Sequence, residues 1–114
     1  MREKDELVIS ICETLVEERL IEAYAYDHFK KSKAVLPPFA VYRRIARDNF
    51  PADSIVYWRG GGIDLEIYAS DPDEMDGIME RVEELFAQNE TFYECTADTV
   101  YLESEDFYES LYEL

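Results

Sequence analysis

The sequence predicts an α+β domain in which two helices pack on one face of an antiparallel sheet, in the order α-β-β-β-β-α-β-β. Two segments carry apolar residues at intervals of three and four, which is typical of amphipathic helices. Shorter segments between and after them alternate apolar and polar residues, which is typical of half-buried strands. Because the strands come in runs and do not alternate strictly with helices, the pattern favours the α+β class.

Length and composition predict one domain that spans residues 1–114. The chain has 114 residues, of which 47% are hydrophobic, and this is enough for a single core. No apolar run approaches the ~20 residues of a membrane span, and the first residues, MREKDEL, lack the apolar core of a signal peptide. We therefore expect a cytoplasmic protein without a membrane partner. Cys12 and Cys95 do not form a CxxC pair, and we expect both to be core residues.

The first segment, from Asp5 to about Glu22, is predicted to be a helix. Its apolar residues follow helical spacing: Leu7, Val8, Ile11, Cys12, Leu15, Val16, Leu20 and Ile21. Within Ala23–Phe29, Tyr24, Tyr26 and His28 alternate with Ala25, Asp27 and Phe29, which predicts a short strand or an extended arm. Lys30–Lys33 is predicted to be a loop. Pro37 and Pro38 exclude a helix after this loop, because proline lacks a backbone donor and forces the preceding residue to be extended.

Three strands are predicted in the middle of the chain. The first is Phe39–Ile45, and Asp48–Asp53 then has the Asx and proline residues of a turn. Ile55–Arg59 and Ile63–Ala69 flank Gly60–Gly62, whose glycines suit a hairpin loop. In the third strand one face is apolar and the other polar: Ile63, Leu65 and Ile67 against Asp64, Glu66 and Tyr68.

The second helix has clear start and stop signals. Ser70 or Asp71 can cap it, Pro72 suits its first turn, and it ends at Gln88-Asn89-Glu90. Its apolar residues are Met75, Ile78, Met79, Val82, Leu85 and Phe86.

The C-terminal part predicts a hairpin. Thr91–Cys95 and Thr99–Glu103 are either two strands or one long strand with a bend near Ala97-Asp98. A turn at Ser104–Asp106 then leads into a final strand, Phe107–Leu114. The final strand carries apolar or aromatic residues on both faces: Tyr108, Tyr112 and Leu114 on one, Phe107 and Leu111 on the other.

The charge of the chain is strongly acidic and unevenly distributed. A net charge of −16 argues against binding along duplex DNA, which depends on clustered Lys and Arg. The segment from Lys30 to Arg59 contains seven basic and two acidic residues. The segment from Asp71 to Leu114 contains one basic residue, Arg81, and fifteen acidic ones. One interpretation is a solubilised surface with random clustering. The other is that opposite patches meet between neighbouring subunits, head to tail, which generates a ring when the rotation closes.

No residue pattern in the chain predicts catalysis, a cofactor or a metal site. His28 is the single histidine, and in an extended segment between Asp27 and Phe29 we expect it to pack at a strand end. Acids are numerous but show no EF-hand spacing. Gly60–Gly62 lacks the following Lys-Ser/Thr of a phosphate-binding loop and precedes a strand.

The tyrosines and arginines are the candidate contact residues. Nine tyrosines occur, and tyrosine is enriched at subunit interfaces, although it also covers the outer sheet face of monomers. The predicted subunit or partner interface consists of Arg43, Arg44, Arg59, Tyr101, Tyr108 and Tyr112.

Several short strings give the chain a family resemblance: AYDHF, PPFAVYRR, DNFPAD, VYWRGGGIDLEIY and FYECTADTVYLESEDFYESLYEL. Over roughly Ala23 to Leu114 the sequence resembles the tail-completion proteins (tail terminators or head–tail joining proteins) of long-tailed phages and prophages. The long, very acidic first helix departs from the usual appearance of that family.

The resemblance implies a structural protein and not an enzyme. It implies a ring of copies, commonly a hexamer, that completes the tail tube and offers a docking surface to the head connector. Its partners would be itself, tail tube proteins and connector proteins, first in the bacterial cytoplasm and then in the virion tail. Sequence-specific nucleic acid binding is not expected. The alternative is a stand-alone acidic protein-binding module, such as an inhibitor that mimics DNA.

Overall fold

The computed structural model describes residues 3–30, 35–45 and 62–114 of the chain. Its elements confirm the α+β class. They are α1 (Glu3–Glu17), β1 (Ala23–Tyr26), β2 (Phe39–Ile45), β3 (Gly62–Ala69), α2 (Pro72–Gln88), β4 (Glu94–Leu102) and β5 (Phe107–Glu113).

The five strands form one mixed sheet in the order β1-β2-β3-β5-β4. All neighbours pair antiparallel except β1 and β2, which run parallel, with Ala23 opposite Phe39 and Tyr26 opposite Tyr42. The prediction of a purely antiparallel sheet is therefore wrong at this edge. Alternation along a strand shows which residues share a face, but it does not show the direction of the strand. The connection from Asp27 to Pro38 is long enough for the crossover that a parallel pair needs.

Some predicted elements lie outside the described residues. These are the strand Ile55–Arg59, the turn Asp48–Asp53, and the loop residues Lys31, Lys33, Gly60 and Gly61. Gly62, which was predicted to belong to the hairpin loop, is the first residue of β3.

Helix α1 ends at Glu17, five residues before the predicted end. Arg19 adopts a left-handed conformation with a φ of 62°. The Arg19 N–H donates to the carbonyl of Val16 at 3.0 Å, and the Leu20 N–H donates to that of Leu15 at 2.9 Å. This is the hydrogen-bond pattern of a Schellman motif, formed here without glycine. Apolar periodicity continues past this point because Leu20 and Ile21 still pack on the core.

Helix α2 begins and ends as predicted. The Asp71 carboxylate accepts from the Glu74 N–H at 2.8 Å, and Glu74 in turn accepts from the Ser70 N–H at 2.8 Å. The two side chains therefore satisfy backbone donors at the start of the helix, as in a capping box, and Pro72 occupies the first turn.

The two helices pack on the same face of the sheet. One core joins them to alternate residues of the central strands. Its fully buried large side chains are Val8, Ile11, Cys12, Leu15, Ile63, Leu65, Ile67, Met75, Ile78, Val82, Phe86 and Tyr112.

The two cysteines have different environments. Cys12 is buried in the core, as predicted, and burial raises the pKa of its thiol to about 12. Cys95 is exposed on β4, so the prediction that it belongs to the core is wrong. It lies on β4, an edge strand of the sheet, and its thiol donates to the carbonyl of Ala97 at 3.4 Å.

Strand β4 is one long strand, which confirms the second of the two predicted arrangements. Its pairing with β5 shifts register between Cys95 and Ala97 and again between Ala97 and Val100. Thr99 within this stretch has a φ of 54°, and its N–H donates to the Ser110 hydroxyl at 2.8 Å. The irregularity is a β-bulge in the position of the predicted bend.

Candidate binding surfaces

The sheet has a second face on which no described helix packs. We call it the open face. Cross-strand pairing places these residues of the three central strands on it: Phe39, Val41 and Arg43 of β2, Asp64, Glu66 and Tyr68 of β3, and Phe107, Glu109 and Leu111 of β5.

Four aromatic rings form a continuous cluster at one end of the open face. Phe39 stacks on Tyr68 with ring centroids 4.8 Å apart and planes 24° from parallel. Phe107 meets both rings edge-on, at 5.9 Å from Phe39 and 5.6 Å from Tyr68. Phe29, after β1, meets Phe39 edge-on at 5.3 Å. Aromatic pairs in stacked and edge-on arrangements contribute about 0.5–1.5 kcal/mol each beyond their area burial. These contacts therefore favour one relative orientation of the four rings.

Arg43 links this face to the end of β1. Its Nη1 donates to the Glu66 carboxylate, its Nε to Asp27 Oδ1 at 3.1 Å, and its Nη2 to the Asp27 carbonyl at 3.0 Å. Glu66 is 9% exposed. Burial lowers the pKa of Arg43, but its hydrogen bonds and charge pairing with Glu66 and Asp27 prevail and raise it. The guanidinium therefore stays charged and neutralises a nearly buried carboxylate.

The Tyr68 hydroxyl lies between two carboxylates. It is 2.7 Å from Glu66 Oε1 and 2.9 Å from Glu109 Oε2. Burial first, and then the two carboxylates, raise the pKa of Tyr68 well above its ordinary value, so the hydroxyl keeps its proton. A hydroxyl has one hydrogen to donate, and two acceptors compete for it here. The network has more acceptors than donors at this position.

A groove of about 340 Å³ runs beside the aromatic cluster. We call the partly buried aromatic rings of its lining the floor, and the exposed carboxylates of Asp27 and Glu105 the rim. The lining includes Phe29, Phe39, Phe107, Asp27, Glu66 and Glu105. His28 is also at the rim, where its Nδ1 lies 2.9 Å from Asp27 Oδ2 and its side chain is 74% exposed. The prediction that His28 packs at a strand end is therefore wrong, since the ring projects to the surface beside the left-handed Asp27.

A second candidate surface lies along the sheet edge formed by β4. We call it the β4 edge: Phe92 and Tyr93 just before the strand, and Val100 and Tyr101 within it. Phe92 is 96% exposed and Tyr101 is 47% exposed. Strand β4 pairs with β5 on one side, and no other described strand pairs with it. Its outer backbone groups and these apolar side chains are together available to a partner.

The two described arginines of the predicted interface are paired within the chain. Arg43 contacts Asp27 and Glu66, as above. Arg44 points to the helix-covered side, where its Nε donates to Asp5 Oδ2 at 2.8 Å. The hydrogen bond from Arg44 to Asp5 raises the pKa of Arg44. Their charges are therefore largely satisfied by the chain's own acids. Arg59 lies outside the described residues.

The three tyrosines of the predicted interface divide between surface and core. Tyr101 and Tyr108 pair with ring centroids 5.2 Å apart, and the Tyr101 hydroxyl donates to Asp106 at 2.7 Å. Tyr108 is partly buried against the core. Tyr112 is 0% exposed, and its hydroxyl donates to Glu83 at 2.7 Å. Tyr112 is thus a core residue in this structure and not a surface contact, because α2 covers that part of β5.

Apart from Arg43, which belongs to the predicted interface, the open-face residues were not predicted from the sequence to form a candidate site. Alternation placed Glu66 and Tyr68 on one polar face of β3, and this pairing of residues is what the structure shows. It did not indicate that Phe39 and Phe107 flank Tyr68, because that depends on the register of three strands. The signal that could have found the cluster is an aromatic residue at or next to one terminus of each strand. Phe39 begins β2, Phe107 begins β5, and Tyr68 is the next-to-last residue of β3.

The acidic clusters do not converge in the described part of the chain. No group of three or more His, Cys, Asp or Glu side chains there is arranged to hold a metal ion. Within the same residues, neither helix has the length and apolar character needed to span a membrane.

No protein-family model, curated protein or solved structure matches this chain.

Proposed function

We propose that this chain is a structural assembly protein of a tailed phage or prophage, which completes the tail or joins head to tail as a ring of copies. The proposal combines the sequence resemblance with one structural observation, the β4 edge. An exposed strand edge with large apolar side chains is a surface to which another chain can add.

The sequences at the two edge strands differ in charge. Strand β4 carries Glu94 and Asp98 and leads into an acidic turn. Strand β1, at the opposite edge, is followed by the basic sequence of Lys30, Lys31 and Lys33. Contact between the β4 edge of one copy and the β1 side of the next would be heterologous, and a heterologous contact closes into a ring when the rotation allows. Opposite charges would fix its direction.

An acidic chain also suits the proposed position in the particle. A ring at the end of a tail surrounds the path along which DNA leaves the head. Because phosphates are attracted to clustered Lys and Arg, walls that are acidic or neutral let the DNA slide.

Light scattering across a concentration series, at low and at high salt, tests self-association. We expect a closed oligomer that Val100→Lys weakens about tenfold, because an edge lysine opposes strand addition. Ala87→Lys is the matched control, since it adds the same charge at an exposed position of α2. A stable monomer under all these conditions would favour the stand-alone binding module.

A genetic test addresses the role in the particle directly. In a lysogen that carries the gene, we expect its deletion to give tails of irregular length or heads without tails, seen by electron microscopy. The wild-type gene should restore normal particles and Val100→Lys should not. Normal infectious particles from the deletion strain would contradict the proposal.

A further inference from the structure

We propose that the open face is a docking surface for a basic, apolar segment of another protein. A Lys or Arg side chain of that segment would reach the carboxylates beside Tyr68 and at the groove rim, while an apolar side chain would lie on the aromatic floor. The inference rests on the proposed function, in that it names the chemistry of a partner for an assembly protein.

The charges around the groove are unbalanced. Asp27, Glu66, Glu105 and Glu109 all line it or bond to its lining residues. In the described part of the chain, the guanidinium of Arg43 is the permanent cation among them. Three of its N–H groups already donate to Asp27 and Glu66. A cation from outside would therefore meet complementary charge.

The carboxylates beside Tyr68 also have too few hydrogen-bond donors. One hydroxyl hydrogen faces Glu66 Oε1 at 2.7 Å and Glu109 Oε2 at 2.9 Å. A Lys ammonium carries three donors and an Arg guanidinium five. A donor that approaches Glu109 from the surface would satisfy the carboxylate that the hydroxyl leaves unsatisfied. A neutral or acidic segment would not supply this charge.

The aromatic floor supplies the second part of the recognition. The rings of Phe39, Tyr68 and Phe107 are held in fixed stacked and edge-on positions. Such rings bury apolar side chains and also attract cations that lie over their faces. A segment that alternates basic and apolar residues matches a rim of carboxylates around an aromatic floor.

A different protein is a better match than a second copy of this chain. The chain has 27 acidic residues against 11 basic ones. Among the basic residues, Arg43, Arg44 and Arg81 are already in ion pairs with the chain's own carboxylates. A second copy would therefore bring mainly more negative charge to this acidic face.

The test is an NMR titration of the full chain with two synthetic peptides, Ac-KFKVK-NH2 and its charge-inverted counterpart Ac-EFEVE-NH2. We expect the basic peptide to shift amide signals of β2, β3 and β5 that belong to open-face residues, and the acidic peptide to shift none. Glu105→Gln and Phe29→Ala should each weaken binding about threefold. Both positions lie outside the helices and strands, so neither change removes a strand pairing or a helical hydrogen bond, and the amide spectrum of each free variant checks that it is folded. Glu80→Gln, on the exposed side of α2, makes the same charge change and should leave binding unaltered.

Three results would overturn the inference: no shifts at millimolar peptide, equal shifts with the acidic peptide, or equal weakening by Glu80→Gln. Light scattering on the same variants separates this inference from the proposed function. Oligomers without peptide binding would refute the docking surface alone. Peptide binding by a protein that stays monomeric would support the docking surface and refute the ring. Loss of oligomers in Glu105→Gln and Phe29→Ala would identify the occupant as a second copy, against the inference.

Discussion

The helix-covered face and the open face are built from alternate residues of the same strands, yet they are stabilised differently. The covered face buries Ile63, Leu65 and Ile67 completely under two helices. The open face holds Glu66 and Tyr68 in a chain of directional contacts. Apolar packing tolerates rearrangement of its members, whereas each ionic or hydrogen-bonded group needs a particular partner. The covered face thus closes the fold, whereas the open face keeps directional polar contacts, and the proposed docking surface is on the open face.

The largest expected effect is the difference in reaction rate between the two cysteines, which measures how well the covered face excludes a reagent from the core. Cys12 is buried on the core-facing side of α1, whereas Cys95 is exposed on β4. We expect Cys95 to react with a thiol-specific disulfide reagent in the native protein. Cys12 should react at least about a hundredfold more slowly, because the reagent reaches its thiol only when the core opens. Cys95→Ser should abolish the fast phase. A single rate for both thiols would show that the covered face is open to solvent.

Matched leucine truncations compare the two faces in energy. Leu65→Ala, on the covered face, should lower the free energy of unfolding by about 3 kcal/mol, because it leaves a cavity in the core. Leu111→Ala, on the open face, should cost about 1 kcal/mol because its side chain is only partly buried. Urea denaturation measures both. Equal losses would mean that something buries the open face as fully as the helices bury the other.

Removal of Arg43 tests the ionic contacts of the open face. Arg43→Met should lower the free energy of unfolding by about 2 kcal/mol, since it leaves the nearly buried Glu66 without its cation. The additional change Glu66→Met should recover part of this loss. Arg81→Met is the control, because Arg81 pairs with the more exposed Glu18, and its removal should lower the free energy of unfolding clearly less. Equal effects of the two single changes would contradict the importance of burial.

The smallest expected effect is the pH dependence at Asp27. Hydrogen bonds from His28 first, and then from Arg43, lower the pKa of Asp27 below its ordinary value of 3.8. The carboxylate therefore stabilises the fold at pH values above 3.8, and this stabilisation disappears as the pH falls through the lowered pKa. Asn at this position tolerates the left-handed backbone that Asp27 adopts.

We accordingly expect Asp27→Asn to be less stable than wild type at neutral pH, by a small margin that closes in acid. Urea midpoints across the pH range measure the margin. Asp76→Asn, at an exposed position on α2, controls for the change in net charge. A margin that stays constant in acid would mean that Asp27 does not contribute through its charge.

Sequence alone determined the local elements and their faces. The spacing of apolar residues identified both helices, and alternation placed Phe39, Val41 and Arg43 on one face of β2. The cap of α2 was equally readable, because Asp71, Pro72 and Glu74 act within one turn. These properties depend on residues close together in the chain, so their pattern is visible in the sequence.

Only the tertiary structure decided how these elements meet. It set β1 parallel to β2, put Tyr112 in the core, and aligned Phe39, Tyr68 and Phe107 into one cluster. It also paired Arg43 and Arg44 with acids far away in the chain. Each outcome depends on strand direction, strand register or helix position, and many distant side chains fix these together. No short stretch of sequence carries that information.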